Sequence, residues 1–127
     1  MTFYFDASVP RAVPRALALV RGDVRQAGEP GSPARDWRDE DWLRFAAERG
    51  WTVVMRDKRV RRRPGEREAL RTDGLRGAFI LTGAGNYTQW QVLELLVLRW
   101  RGIEGAVVSL TPPFVCSVTR TRVTPLA

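Results

Sequence analysis

The sequence has no histidine, one cysteine, one lysine (Lys58) and no apolar run approaching the length of a membrane span. Each absence excludes something. Without histidine, and with Cys116 alone, the chain lacks the usual soft ligands of a structural zinc site. A lone cysteine also cannot form an intramolecular disulfide, so a reducing cytoplasm is the expected compartment. The missing apolar run argues for a soluble protein that does not use a membrane. The opening Met1 to Asp6 carries no positive region and meets an acid before an apolar segment could develop, so no secretory signal is expected. What is abundant is arginine: Lys and Arg number 21 against 14 Asp and Glu, a formal charge of +7. Guanidinium is planar, always charged and able to fork onto phosphate oxygens, which suits a nucleic-acid partner, although a genome rich in G and C would encode the same excess. At 127 residues the chain fits one domain, 1–127.

Hydrophobic spacing gives an alternation of strands and helices. Phe3-Tyr-Phe5 reads as a buried strand ending at Asp6, and residues 10–21 read as a helix with Val13, Ala16, Leu17 and Val20 on one face. Residues 23–26 form a short second strand, and the Gly-, Pro- and Ser-rich stretch 28–35 a surface loop. From Arg38 a helix is expected, with Asp39, Glu40 and Asp41 in its first turn and Gly50 as its stop. Residues 51–55 form a β-branched strand that ends at Arg56-Asp57. A basic loop then leads to a short helix, 66–72. A strand over 78–81, a helix over 87–101 and strands over 106–110 and 114–118 complete the chain. Such alternation predicts an α/β fold, a mostly parallel central sheet covered on both faces.

In open parallel sheets, side chains leaving adjacent strand tips converge at the carboxyl edge. Asp6 and Asp57 both follow strands, and Asp39 arrives from the first turn of a helix, with Glu40 and Asp41 as its neighbours. Oxygen-rich clusters of this kind hold hard cations such as Mg²⁺ or Mn²⁺ and leave room for a substrate phosphate. The chemistry that follows is phosphodiester hydrolysis, because such an ion acidifies water and neutralises charge building on the phosphate, with no histidine required. Each acid also has a plainer role open to it. Asp6 could cap the next helix, Asp39 or Asp41 could serve a helix dipole, and Asp57 could pair with Arg56 or Lys58.

Arg56, Lys58, Arg59, Arg61, Arg62 and Arg63 cluster around Asp57, where cations would contact the flanking phosphates of a nucleic acid held at the acids. A solvated loop, or a surface for an acidic protein partner, fits the same run. Among the five tryptophans, Trp42 and Trp51 are expected in the core and Trp90 and Trp100 on the apolar face of the late helix. Trp37 is left exposed, as a loop anchor or a base-stacking group. Cys116 reads as a small buried hydrophobe.

The stretches Asp39-Glu-Asp-Trp-Leu-Arg-Phe-Ala46, Glu48-Arg-Gly50 and Trp51-Thr-Val-Val-Met-Arg-Asp57 resemble the pattern of PIN domains, the nuclease modules of VapC-type toxins. Phe3-Tyr-Phe-Asp6 with Pro10, Arg61-Arg-Arg-Pro64-x-Glu66, Phe79-Ile-Leu-Thr82 and the helix around Trp100 are similar to a compact PIN-like subfamily. The resemblance implies a three-layer α/β/α sandwich. It further implies that Asp6, Asp39 and Asp57 are the catalytic, metal-binding acids of a Mg²⁺- or Mn²⁺-dependent endoribonuclease, the toxin of a type II toxin–antitoxin pair. The implied partners are RNA and a cognate antitoxin, with a homo-oligomer left open. Three positions depart from the pattern: Ala7, Met55 and Arg59 stand where an acid, a threonine and a second acid are usual. Glu40, Asp41 and Glu66 are left to make up the deficit of carboxylates. Ala7 and Arg59 favour the rival reading, a catalytically weakened PIN-like module that binds RNA or protein. A response-regulator-like phosphoacceptor, the third reading, lacks the lysine-bearing strand it would need.

Overall fold

A computed structural model of the chain describes residues 1–56, 70–71 and 74–126. Strands β1 (Phe3–Phe5), β2 (Val24–Gln26), β3 (Thr52–Arg56), β4 (Gly77–Leu81), β5 (Phe114–Val118) and β6 (Val123–Pro125) form one sheet in the order β2-β1-β3-β4-β5-β6. All neighbours are parallel except β5 and β6. The period of two along each strand sends alternate side chains to opposite faces. Phe3, Phe5, Val54, Phe79 and Cys116 pack against helices α1 (Ala12–Ala18) and α3 (Gln89–Ser109) through Val13, Leu17, Val92, Leu96 and Ile103. Tyr4, Val53, Met55, Ala78, Ile80 and Val115 pack against helix α2 (Asp39–Glu48) through Trp42, Leu43, Ala46 and Ala47. The architecture is therefore the three-layer α/β/α sandwich with a mostly parallel sheet that the sequence predicts.

Pro14 is accommodated because it stands in the first turn of α1, where a backbone N–H would have no intrahelical acceptor. Helix α1 ends at Ala18, so Val20 lies beyond it and is 82% exposed rather than part of the apolar face. Thr88 and Gln91 form a reciprocal capping box at the start of α3, Gln91 N donating to Thr88 Oγ1 at 3.2 Å and Thr88 N to Gln91 Oε1 at 2.9 Å. The strand expected over 106–110 is instead the last part of this helix. The β-branched Val107-Val108 pair suggested a strand, but Ile103 and Val107 continue the four-residue spacing and are buried against the sheet. Trp90, expected on the apolar face of α3, is 68% exposed, whereas Trp100 packs on Phe3 with ring centroids 4.9 Å apart. The antiparallel edge strand β6 was not anticipated. The helix expected over 66–72 falls largely outside the described residues.

The order β2-β1-β3 makes β1 and β3 the point at which successive connections leave in opposite directions, which opens a crevice at their carboxyl ends. Phe5 of β1 pairs with Gln26 of β2 and Val54 of β3, so Asp6, the residues after Gln26 and Arg56 at the end of β3 lie at the same edge.

Candidate functional site

A pocket of about 180 Å³ lies at that edge on the α2 side, and Tyr4, Asp6, Ser8, Arg35, Trp37 and Asp39 are among its lining residues. Asp6 belongs on this face by alternation, two residues after Tyr4, and is only 3% exposed. It does not cap α1, whose N-cap is Arg11. Its Oδ1 accepts a hydrogen bond from Ser8 N at 3.1 Å and another from Ser8 Oγ. Donors of that kind offset part of the cost of burying a carboxyl group. Asp39, exposed at the rim in the first turn of α2, accepts from Trp42 Nε1 at 3.0 Å. The buried indole thus fixes the orientation of a surface carboxylate.

Tyr4 and Arg35 complete the electrostatics. Burial raises the pKa of the Tyr4 hydroxyl, with the charge of Asp6 pushing the same way and that of Arg35 opposing it. Tyr4 therefore remains a neutral donor at any physiological pH. Arg35 Nη2 donates to the carbonyl of Ala7 at 3.0 Å, which holds a guanidinium in the same pocket as the two acids. The sequence reading missed both residues. Alternation from Asp6 was a signal for Tyr4, but Arg35 sits in a loop with no periodicity to mark it.

The other predicted residues divide into two groups. Glu40 and Asp41 pair with Arg38 at 3.2 and 3.3 Å, and Asp41 lines a separate outer groove. Arg56 N donates to Ser8 Oγ at 2.9 Å, and its guanidinium to the carbonyls of Ser8 at 2.9 Å and Tyr87 at 3.3 Å, tying the end of β3 to the loop after β1. Asp57, Lys58, Arg59, Arg61, Arg62, Arg63 and Glu66 lie outside the described residues. Among the described residues, no three acids, histidines or cysteines gather closely enough to hold a metal ion. Nor, among them, is any helix long and apolar enough to cross a membrane.

The three-layer α/β sandwich thus carries a pocket lined by Asp6 and Asp39 at the β1/β3 switch point, the place where open α/β sheets bind their ligands. A family model described as a PIN like domain matches residues 1–83, well over half of the 127-residue chain. The chain belongs to this family of nuclease-type domains. No curated protein matches the sequence, and no solved structure does.

Proposed function

We infer that the protein is a Mg²⁺- or Mn²⁺-dependent endoribonuclease, the toxin of a type II toxin–antitoxin pair acting on RNA in the cytoplasm. The observation that carries this reading is the lining of one pocket by Asp6 and Asp39 at the carboxyl edge of the sheet. The donor set fits a hard cation, since Mg²⁺ is commonly held by one or two carboxylates together with waters and substrate phosphate. Asp6 and Asp39 would hold the ion, joined by Asp57, which follows the last residue of β3. When bound, such an ion supplies Lewis acidity toward water and toward the scissile phosphate.

The chain's own groups prepare the site. Ser8 and Trp42 orient the two carboxylates, and Tyr4 offers a protonated hydroxyl. Arg35 places positive charge where a phosphodiester would approach the acids. In the reaction, a water oxygen bonds to phosphorus and the bond from phosphorus to one ribose oxygen breaks. One product end keeps the phosphate, and the other takes a proton as a hydroxyl. Ala7 and Arg59, together with the guanidinium of Arg35 among the acids, favour the second reading, a weakened module that binds without cutting.

Calorimetric titration with Mn²⁺ tests the metal site on which the ribonuclease reading rests. The wild type should bind the ion, and Asp39→Asn should weaken binding by about tenfold or more, since loss of even an outer-shell partner costs that much at metal sites. Equal affinity in the two proteins would remove Asp39 from the site.

A further inference from the structure

Beside the acid pocket runs a wider groove of about 600 Å³, and Trp37 lines both. We propose that Trp37 is a stacking platform for a base of single-stranded RNA, seating the nucleotide next to the phosphodiester that enters the acid pocket. The proposal rests on the ribonuclease reading above and adds a subsite to it.

Trp37 is 42% exposed, yet its ring is held in place. Its ring meets Phe45 edge-on, with centroids 5.7 Å apart and an interplanar angle of 86°. Phe45 in turn meets Trp51 at 5.6 Å, Trp51 stacks on Tyr4 at 5.4 Å, and Tyr4 contacts Trp42 at 5.7 Å. This chain of rings begins at the surface and ends at the two residues beside Asp6 and Asp39. A ring so anchored loses little freedom when a base stacks on it, which is the condition for strong binding from one side chain.

The charges lining the groove decide which part of a nucleotide it suits. Asp36, Asp41 and Glu48 face Arg38 and Arg44, and Arg38 is already paired with Glu40 and Asp41. Three carboxylates against two guanidiniums do not make a track for phosphates. An aromatic face does suit a base, and every base has a π-face, so the contact is sequence-tolerant. Phosphate attraction falls instead to Arg35 in the neighbouring pocket and to the rest of the molecule's positive charge.

The test is anisotropy titration of a labelled single-stranded RNA hexamer in EDTA, where no metal-dependent cleavage occurs. Trp37→Ala should weaken binding by about tenfold or more, the effect of losing one stacked base, and Trp37→Phe should restore most of it. The log–log salt slope should not change, because no phosphate contact is lost. A hexamer of the same backbone without bases should bind wild type and Trp37→Ala alike, a comparison that also controls for misfolding of the variant. Four results would each overturn the proposal: no binding of the hexamer by wild type, unchanged binding by Trp37→Ala, a flattened salt slope, or an equal loss with the baseless hexamer. A wild type that stacks in this way but never cleaves RNA with Mg²⁺ would retain the subsite and defeat the ribonuclease reading. A wild type that cleaves, with Trp37→Ala binding normally, would do the reverse.

Discussion

Asp6 is a carboxylate almost wholly removed from solvent, and two bonds from Ser8 help to make that burial tolerable. Its place after an apolar strand, and that of Asp39 in an acidic first turn, were legible because strand tips and helix starts leave marks in a sequence. Arg35 was not legible: its position depends on how the loop from Ala27 to Arg38 folds back, with Gly28 N donating to the Pro33 carbonyl at 2.7 Å. No local pattern encodes that closure. Two other buried groups carry a pH signature. Burial pushes the Cys116 thiol up to about 11, and burial followed by the charge of Asp6 raises the Tyr4 hydroxyl. Both protons are held more tightly in the folded chain than in the unfolded one. Their contribution is thus complete below the ordinary thiol value of about 9 and is lost as pH rises toward the folded values. Urea midpoints should fall between about pH 8 and pH 11, and Cys116→Val should flatten part of that fall. An identical pH slope in the variant would show that the thiol does not contribute.

At the scale of elements, alternation and helical spacing sufficed for β1, β3, β4, β5 and α2, because each buries one clear face. Helix α3 was read too short because Gly102 and Gly105 look like breaks. Gly102 instead lets β6 come close: a Cβ there would lie 3.0 Å from Val123 Cγ2. That contact depends on a distant strand, which local reading cannot see, and the same strand went unpredicted. A tighter case is Gly77 at the start of β4, where an added Cβ would stand 2.3 Å from Cζ of Phe114. The Phe114 ring also packs edge-on to Phe79 at 5.6 Å, so it cannot move away without disturbing its neighbour. Gly77→Ala should cost about 1–3 kcal/mol, the usual range for overpacking, and adding Phe114→Leu should recover part of that loss. Urea unfolding of the single and double variants measures this. Additive losses in the pair would mean that the two side chains do not clash.

For the whole molecule, the sheet order places Asp6 at the switch-point edge, and the α2 layer brings Asp39 to the same pocket. The family match, the switch-point crevice and the paired carboxylates agree on a nuclease-type domain. The net charge of +7 gives it attraction for a polyanion at long range, a matter of encounter rather than of fold. The central claim is that buried Asp6 supports metal-dependent cleavage of RNA. Asp6→Asn suits the test, because the amide oxygen can still accept the two bonds from Ser8, so the fold should persist while the charge is lost. The decisive measurement is single-turnover cleavage of end-labelled single-stranded RNA at saturating protein, with Mg²⁺ present. The account predicts cleavage by wild type that EDTA abolishes, and a rate lowered by about 100-fold or more in Asp6→Asn. Cleavage by Asp6→Asn at the wild-type rate, or cleavage by wild type that persists in EDTA, would contradict it.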